Sequence, residues 1–203
     1  MVWFVTIGMP LALFIWFSIA YFLKIDLDNP WVALVLVDAN TLLWFAISLY
    51  GIKKSYGFHI LKFHEPVKTL IYALIIAILI GVLNFISDFW KSSGYSYLRP
   101  YSSVIVFVSF LIGSILEEVI WRAYVLRGLG FGLSGLLISS LFFGLHHIGL
   151  SIKNFVYATL AGIILGYVYM ETSLFWAVAL GHVLYNLAFK QISSKLFSII
   201  FNR

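Results

Sequence analysis

Glu117, Glu118, Arg122, His147, His182 and Asn186 are polar or ionisable side chains set within long apolar runs. Glu118 and Arg122 are four residues apart, a spacing that puts both on one face of a helix and within pairing reach. Glu117 is turned about 100° from its neighbour. It can face a cavity while Glu118 is neutralised, which is the setting a carboxylate base requires. His182 and Asn186 are also four apart, and both carry N–H donors. Two donors converging on one point can hold a developing oxyanion. His146 and His147 close a separate apolar run, and Asp38 and Asn84 are further polar intrusions. Any one of these pairs could merely tie helices together by a salt bridge or hydrogen bonds. Two glutamates, histidines and an asparagine on three separate segments favour one shared site.

The elements that hold these residues are set by composition. The chain has 203 residues, 63% hydrophobic and 10% charged, too little charge to cover a soluble surface. A bilayer supplies the missing apolar solvent, and spanning segments must satisfy their own backbone. The apolar runs are continuous and lack the alternation of barrel strands, so they read as helices. Each ionisable group at that depth costs roughly 2.5–3.5 kcal/mol on insertion scales unless paired or hydrated. Cysteine is absent, which excludes disulfide frameworks, cysteine-ligated zinc and thiol catalysis. The net charge of +5 is spread over the ends of apolar runs and is no nucleic-acid footprint.

With about 20 residues per span, the chain reads as an all-α polytopic membrane protein of about seven transmembrane helices. The expected spans are 3–23, 31–50, 67–87, 103–126, 133–150, 155–170 and 174–189. The tail from Ile192 to Phe201 reads as an eighth, short helix or one lying in the interface. The first run lacks a basic leader and an Ala-x-Ala-like cleavage site, so it reads as a retained helix and not a signal peptide. Asn29-Pro30, the stretch Ser92–Ser96 with Pro100, and Gly128, Gly130 and Gly132 mark turns. Lys53, Lys54, Lys62 and Lys68 form the most basic loop, which places that loop and the N-terminus in the cytoplasm by the positive-inside rule. Trp3, Trp31, Tyr50, Trp90 and Tyr101 fit interfacial belts, and Gly162 and Gly166 form a small-xxx-small pair for close helix approach. The chain reads as a single domain, 1–203.

Glu117-Glu118-x-x-x-Arg122, Phe143-Gly144-Leu145-His146-His147 and His182-x-x-x-Asn186 together resemble the three motifs of the CAAX-protease and bacteriocin-processing family. This is the Abi family of intramembrane glutamate endopeptidases, which includes the Ras-converting-enzyme type. The resemblance covers residues 103–190. It implies that Glu117 activates a water with help from His147, and that His182 and Asn186 form the oxyanion hole. It further implies that Glu118 and Arg122 organise the site, and that the substrate is a peptide or a prenylated protein. It implies no cofactor and no metal. Phe142/His146 also fits the second motif's spacing, but Gly144 and Leu145 after Phe143 select His147. Adjacent helical residues point about 100° apart, so His146 and His147 are not both expected to face Glu117, and His146 reads as packing.

Four other readings compete. A zinc site could use Glu and His ligands with an open position. Gly132-Leu133-Ser134-Gly135 resembles the nucleophile segment of rhomboid proteases, although the two glutamates would then have no role. A non-catalytic immunity or scaffold protein, or a proton relay, would keep the same residues for other ends. Peptide hydrolysis by the purified protein should resist serine-directed and thiol-directed reagents. It should also survive thorough chelation; loss to a chelator with restoration by zinc would establish the metal reading.

Overall fold

A computed structural model of the chain describes residues 1–25, 30–89, 104–147 and 152–189. The expected turn at Ser92–Ser96, the belt residues Trp90 and Tyr101, and the tail from Ile192 to Phe201 lie outside these residues. The elements are α1 (Val2–Phe22), α2 (Pro30–Ser55), a short 3₁₀ turn (Phe58–Leu61) and α3 (Pro66–Phe89). α4 (Val104–Glu118) runs on as a π-helical stretch, Val119–Leu126. α5 (Leu133–His146) and α6 (Ile152–Thr172) follow, and α7 (Phe175–Leu184) ends in a second π-helical stretch, Tyr185–Phe189. No strand occurs among the described residues. The seven helices of the described residues fall on the seven expected spans. The fifth stops at His146 and not at Leu150, because His147 leaves helical geometry at φ −98° and ψ 0°.

The bundle is apolar on its outside as well as its inside. On α3, Val67, Leu70, Ile71, Leu74, Ile78 and Val82 are exposed, while Ala73, Ile76, Ala77 and Ile80 are buried. A water-soluble domain does not leave a stripe of that size uncovered. Glu118, Arg122, His146 and His182 are instead buried. This is the arrangement of a helical membrane protein. α1 (Val2–Phe22), Pro66–Ile86 within α3 and α6 (Ile152–Thr172) are long and apolar enough to cross a bilayer, whereas Leu133–His146 and Phe175–Ala188 are shorter apolar helices.

Small residues let the site-bearing helices close on one another, where packing and not hydrophobic exclusion supplies the attraction. Gly162 packs against Ser140 and Phe143 of α5, and Gly166 against Leu136, as the small-xxx-small spacing requires. From the other side, Gly144 of α5 lies against Thr159 and the Phe155 carbonyl of α6. Gly181 presses α7 onto Ile76 and the Ala73 carbonyl of α3, one residue before His182. The expected glycine turn forms between α4 and α5, where Gly130 adopts φ +106°, a region open to glycine because it lacks a Cβ. At one end of the bundle, the Trp176 indole donates to the Leu61 carbonyl (2.8 Å) and Arg127 donates to the Tyr169 hydroxyl (2.8 Å). Asn40 joins α1 to α2, donating to the Met9 carbonyl at 3.5 Å and accepting from Trp44 at 3.1 Å. Trp3 and Tyr50 are exposed near helix ends, as belt residues should be.

A side chain at Gly144 has nowhere to go. Gly144→Val should lower thermal stability in detergent by about 1–3 kcal/mol, the usual cost of overpacking. Gly113→Ala is the control, because a Cβ there meets no atom within 4 Å; equal stability of the two variants would refute the close α5–α6 contact.

Candidate active site

Glu118 is the fixed point of the cluster. It has no exposed side-chain surface and sits where α4 passes into its π-helical stretch. One carboxylate oxygen, Oε2, is 3.1 Å from Arg122 Nε, and the other, Oε1, is 2.9 Å from His182 Nδ1 on α7. Arg122 is equally buried, and its guanidinium lies 4.9 Å above the Phe143 ring of α5. An arginine can stack and pair at once because its charge is planar and delocalised. The expected Glu118–Arg122 pair therefore forms, and it binds α4, α5 and α7 together.

Glu117 points elsewhere. Its Oε1 is 3.8 Å from His147 Nε2 and 3.9 Å from His146 Nε2. The expectation that the two histidines could not both face Glu117 is thus corrected. His146 is the last helical residue and His147 has already left the helix, so the helical angle between neighbours does not apply. Their surroundings differ sharply: the His147 side chain is 25% exposed, the Glu117 side chain 12% and the His146 side chain 1%. His147 Nδ1 lies 2.9 Å from the Phe143 carbonyl. A carbonyl only accepts, so Nδ1 carries the proton, and in the neutral ring Nε2 presents a lone pair toward Glu117.

Phe143 connects the two halves. Its ring stands edge-on to His147 (4.7 Å between centroids), to His182 (6.2 Å) and to Trp121 (6.1 Å). Asn186, in the π-helical end of α7, donates its amide N–H to Ser114 Oγ at 2.9 Å, and Ser114 donates on to the Phe110 carbonyl at 2.7 Å. Ser114 was not singled out in the sequence, although its place one turn before Glu118 on the same face was a usable signal. π-helical turns are rare and concentrate at functional sites; here one holds Arg122 and the other Asn186. Ser134 is exposed at the start of α5, nine residues from Phe143 and thus about 13 Å along the helix, so the serine of the rhomboid-like reading lies away from the Phe143–His182 contact. Among the described residues no three His, Asp or Glu side chains are arranged to hold a metal ion.

Residues 99–188 match a family model described as type II CAAX prenyl endopeptidase Rce1-like. That segment of the chain is similar to the CAAX protease family. The matched segment holds Glu117, Glu118, Arg122, His147, His182 and Asn186, and it leaves out α1 to α3. Neither the curated proteins nor the solved structures yield a match. The match supports a CAAX-type intramembrane protease at the level of the family, and that family acts on prenylated proteins or peptides within the membrane.

Lysine at position 122 keeps the charge but loses the planar fork and the stacking on Phe143. Arg122→Lys should insert and fold, yet lower turnover on the order of 10²-fold, the scale of a 1 Å misplacement of a catalytic group. Full turnover in that variant would show that the Glu118–Arg122 pair does not position His182.

Proposed function

We propose that this chain is a glutamate-type intramembrane endopeptidase in which two adjacent carboxylates have divided duties. The observation that carries the reading is the contrast between them. Glu118 is held by Arg122 and His182 inside the protein, while Glu117 faces the partly exposed His147. The gap of 3.8 Å between Glu117 Oε1 and His147 Nε2 suits a water that hydrogen-bonds to both. Glu117 with His147 takes the proton as the water oxygen attacks the peptide carbonyl. The C–N bond of the tetrahedral intermediate then breaks, and the same proton passes to the leaving amine.

The oxyanion is assigned to His182 and Asn186. With Glu118 Oε2 on Arg122, Oε1 is the acceptor for His182 Nδ1–H in this scheme. For Nε2 to donate as well, the ring must carry both protons, with Glu118 as counterion to the imidazolium. Asn186 carries two amide hydrogens; one goes to Ser114 and the other is the oxyanion donor in this scheme. A prenylated CAAX tail, a leader peptide and a membrane-anchored segment all fit this chemistry. The basic loop and the N-terminus are assigned to the cytoplasmic face of the cell membrane. Met1 packs against Gly51 near the end of α2, which supports a shared face for the N-terminus and the loop that follows α2.

The clustering of Glu117 with His147 and of Glu118 with His182 favours a pocket over a proton path strung across the bilayer. Purified protein should cleave members of a peptide library that includes prenylated CAAX tails. Glu117→Gln should reduce cleavage by about 10²–10⁴-fold, the range for loss of a general base. No cleavage of any member by the wild type would favour the immunity or scaffold reading, and equal cleavage by Glu117→Gln would remove Glu117 as the base.

A further inference from the structure

We infer that His146 is a positioning residue of the site, the direct hydrogen-bond donor that holds Glu117 from its buried side. The consequence for turnover rests on the hydrolytic reading above, whereas the contact itself does not. His146 is buried, and neither of its ring nitrogens has a hydrogen-bond partner. Buried polar groups in folded proteins are paired in the great majority of cases, so an imidazole left in this state needs a use. Its Nε2 is 3.9 Å from Glu117 Oε1, and a shift of roughly 0.9 Å brings that to an ordinary N–H···O length of about 3.0 Å. Glutamate, with three side-chain torsions, makes such a shift readily.

The neighbouring histidine cannot do this job. With its Nδ1 proton given to the Phe143 carbonyl, neutral His147 turns a lone pair to the carboxylate. Two acceptors face each other there, and only a proton or a water between them makes the contact favourable. No such restriction binds His146. Neither of its nitrogens is committed elsewhere, so it can take the tautomer with the proton on Nε2. Nδ1 then becomes the acceptor, and the Trp121 ring stands 6.5 Å away with a buried indole N–H that also lacks a partner. Glu117 is thus bracketed by two imidazoles of opposite function. The exposed one shares the reacting proton, and the buried one fixes the carboxylate so that its remaining lone pairs point to the water.

The experiment compares His146→Phe, which keeps a ring of similar size but has no N–H, with His146→Gln, whose amide N–H can occupy the place of Nε2. Wild type and Glu117→Gln serve as controls. His146→Phe should lower kcat by about 10–100-fold, the scale of a misplaced catalytic group, with KM little changed. His146→Gln should recover most of the loss at matched thermal stability. Wild-type kcat in His146→Phe would overturn the inference in favour of packing. Equal loss in both variants would overturn it in favour of a proton-carrying role. A second readout needs no turnover. The Glu117 carboxylate stretch, isolated as the infrared difference between wild type and Glu117→Gln, should shift in His146→Phe and return in His146→Gln. An unshifted band overturns the inference even where the wild type cleaves nothing, the result that would by itself dispose of the hydrolytic reading.

Discussion

Everything in the core of this protein is arranged around a carboxylate that cannot leave. Glu118 has one oxygen on Arg122 and the other on His182, and all three groups are buried. Taking such charges out of water costs several kcal/mol per ion, and their mutual attraction offsets this only with good geometry. Removing one partner from a buried pair is correspondingly severe, about 3–5 kcal/mol. The triad thereby fixes the rotation of α4 relative to α7. That rotation in turn leaves Glu117 directed toward the end of α5. One strongly constrained carboxylate thus sets the aim of the more exposed one beside it.

The glycines serve the same end by distance where the triad serves it by charge. Gly144 and Gly162 bring α5 and α6 together, and Gly181 brings α7 onto α3. Phe143 then reaches far enough to support the Arg122 guanidinium and to stand beside both His147 and His182. A looser bundle would leave the same side chains present but unable to meet, since near-attack geometry tolerates errors of well under an ångström before rates fall steeply.

Much of this was legible from the residues alone. Helix positions followed from apolar length, because a bilayer imposes a span that composition reveals directly. The Glu118–Arg122 pair followed from its spacing, and the close approach at Gly162 and Gly166 from their size. What escaped was local geometry. The π-helical stretches at Val119–Leu126 and Tyr185–Phe189 leave no pattern in a residue string, since they arise when packing forces an extra residue into a turn. The meeting of both histidines at Glu117 escaped for a related reason. The inference of divergent side chains assumed that the helix continued through His147, and it ends one residue earlier. Ser114 was missed because serine in an apolar helix ordinarily bonds back to its own backbone, which Ser114 also does.

The lengths of the helices carry a consequence for the lipid. The described helices that carry His146 and His182, Leu133–His146 and Phe175–Ala188, have 14 residues each, whereas α1 and α6 have 21. Fourteen residues rise about 21 Å, against a hydrocarbon core of about 30 Å. Leu133, Leu137 and Leu141 of α5 are exposed, so this flank of the helix faces lipid in a bilayer. A hydrophobic stretch shorter than the hydrocarbon core is accommodated by bilayer thinning, by snorkelling flanking residues or by oligomerising, each at a modest cost. Hydrolysis inside a membrane requires a nucleophile that hydrocarbon does not dissolve. The thickness of the surrounding membrane therefore bears on how near the headgroup region comes to the polar end of α5.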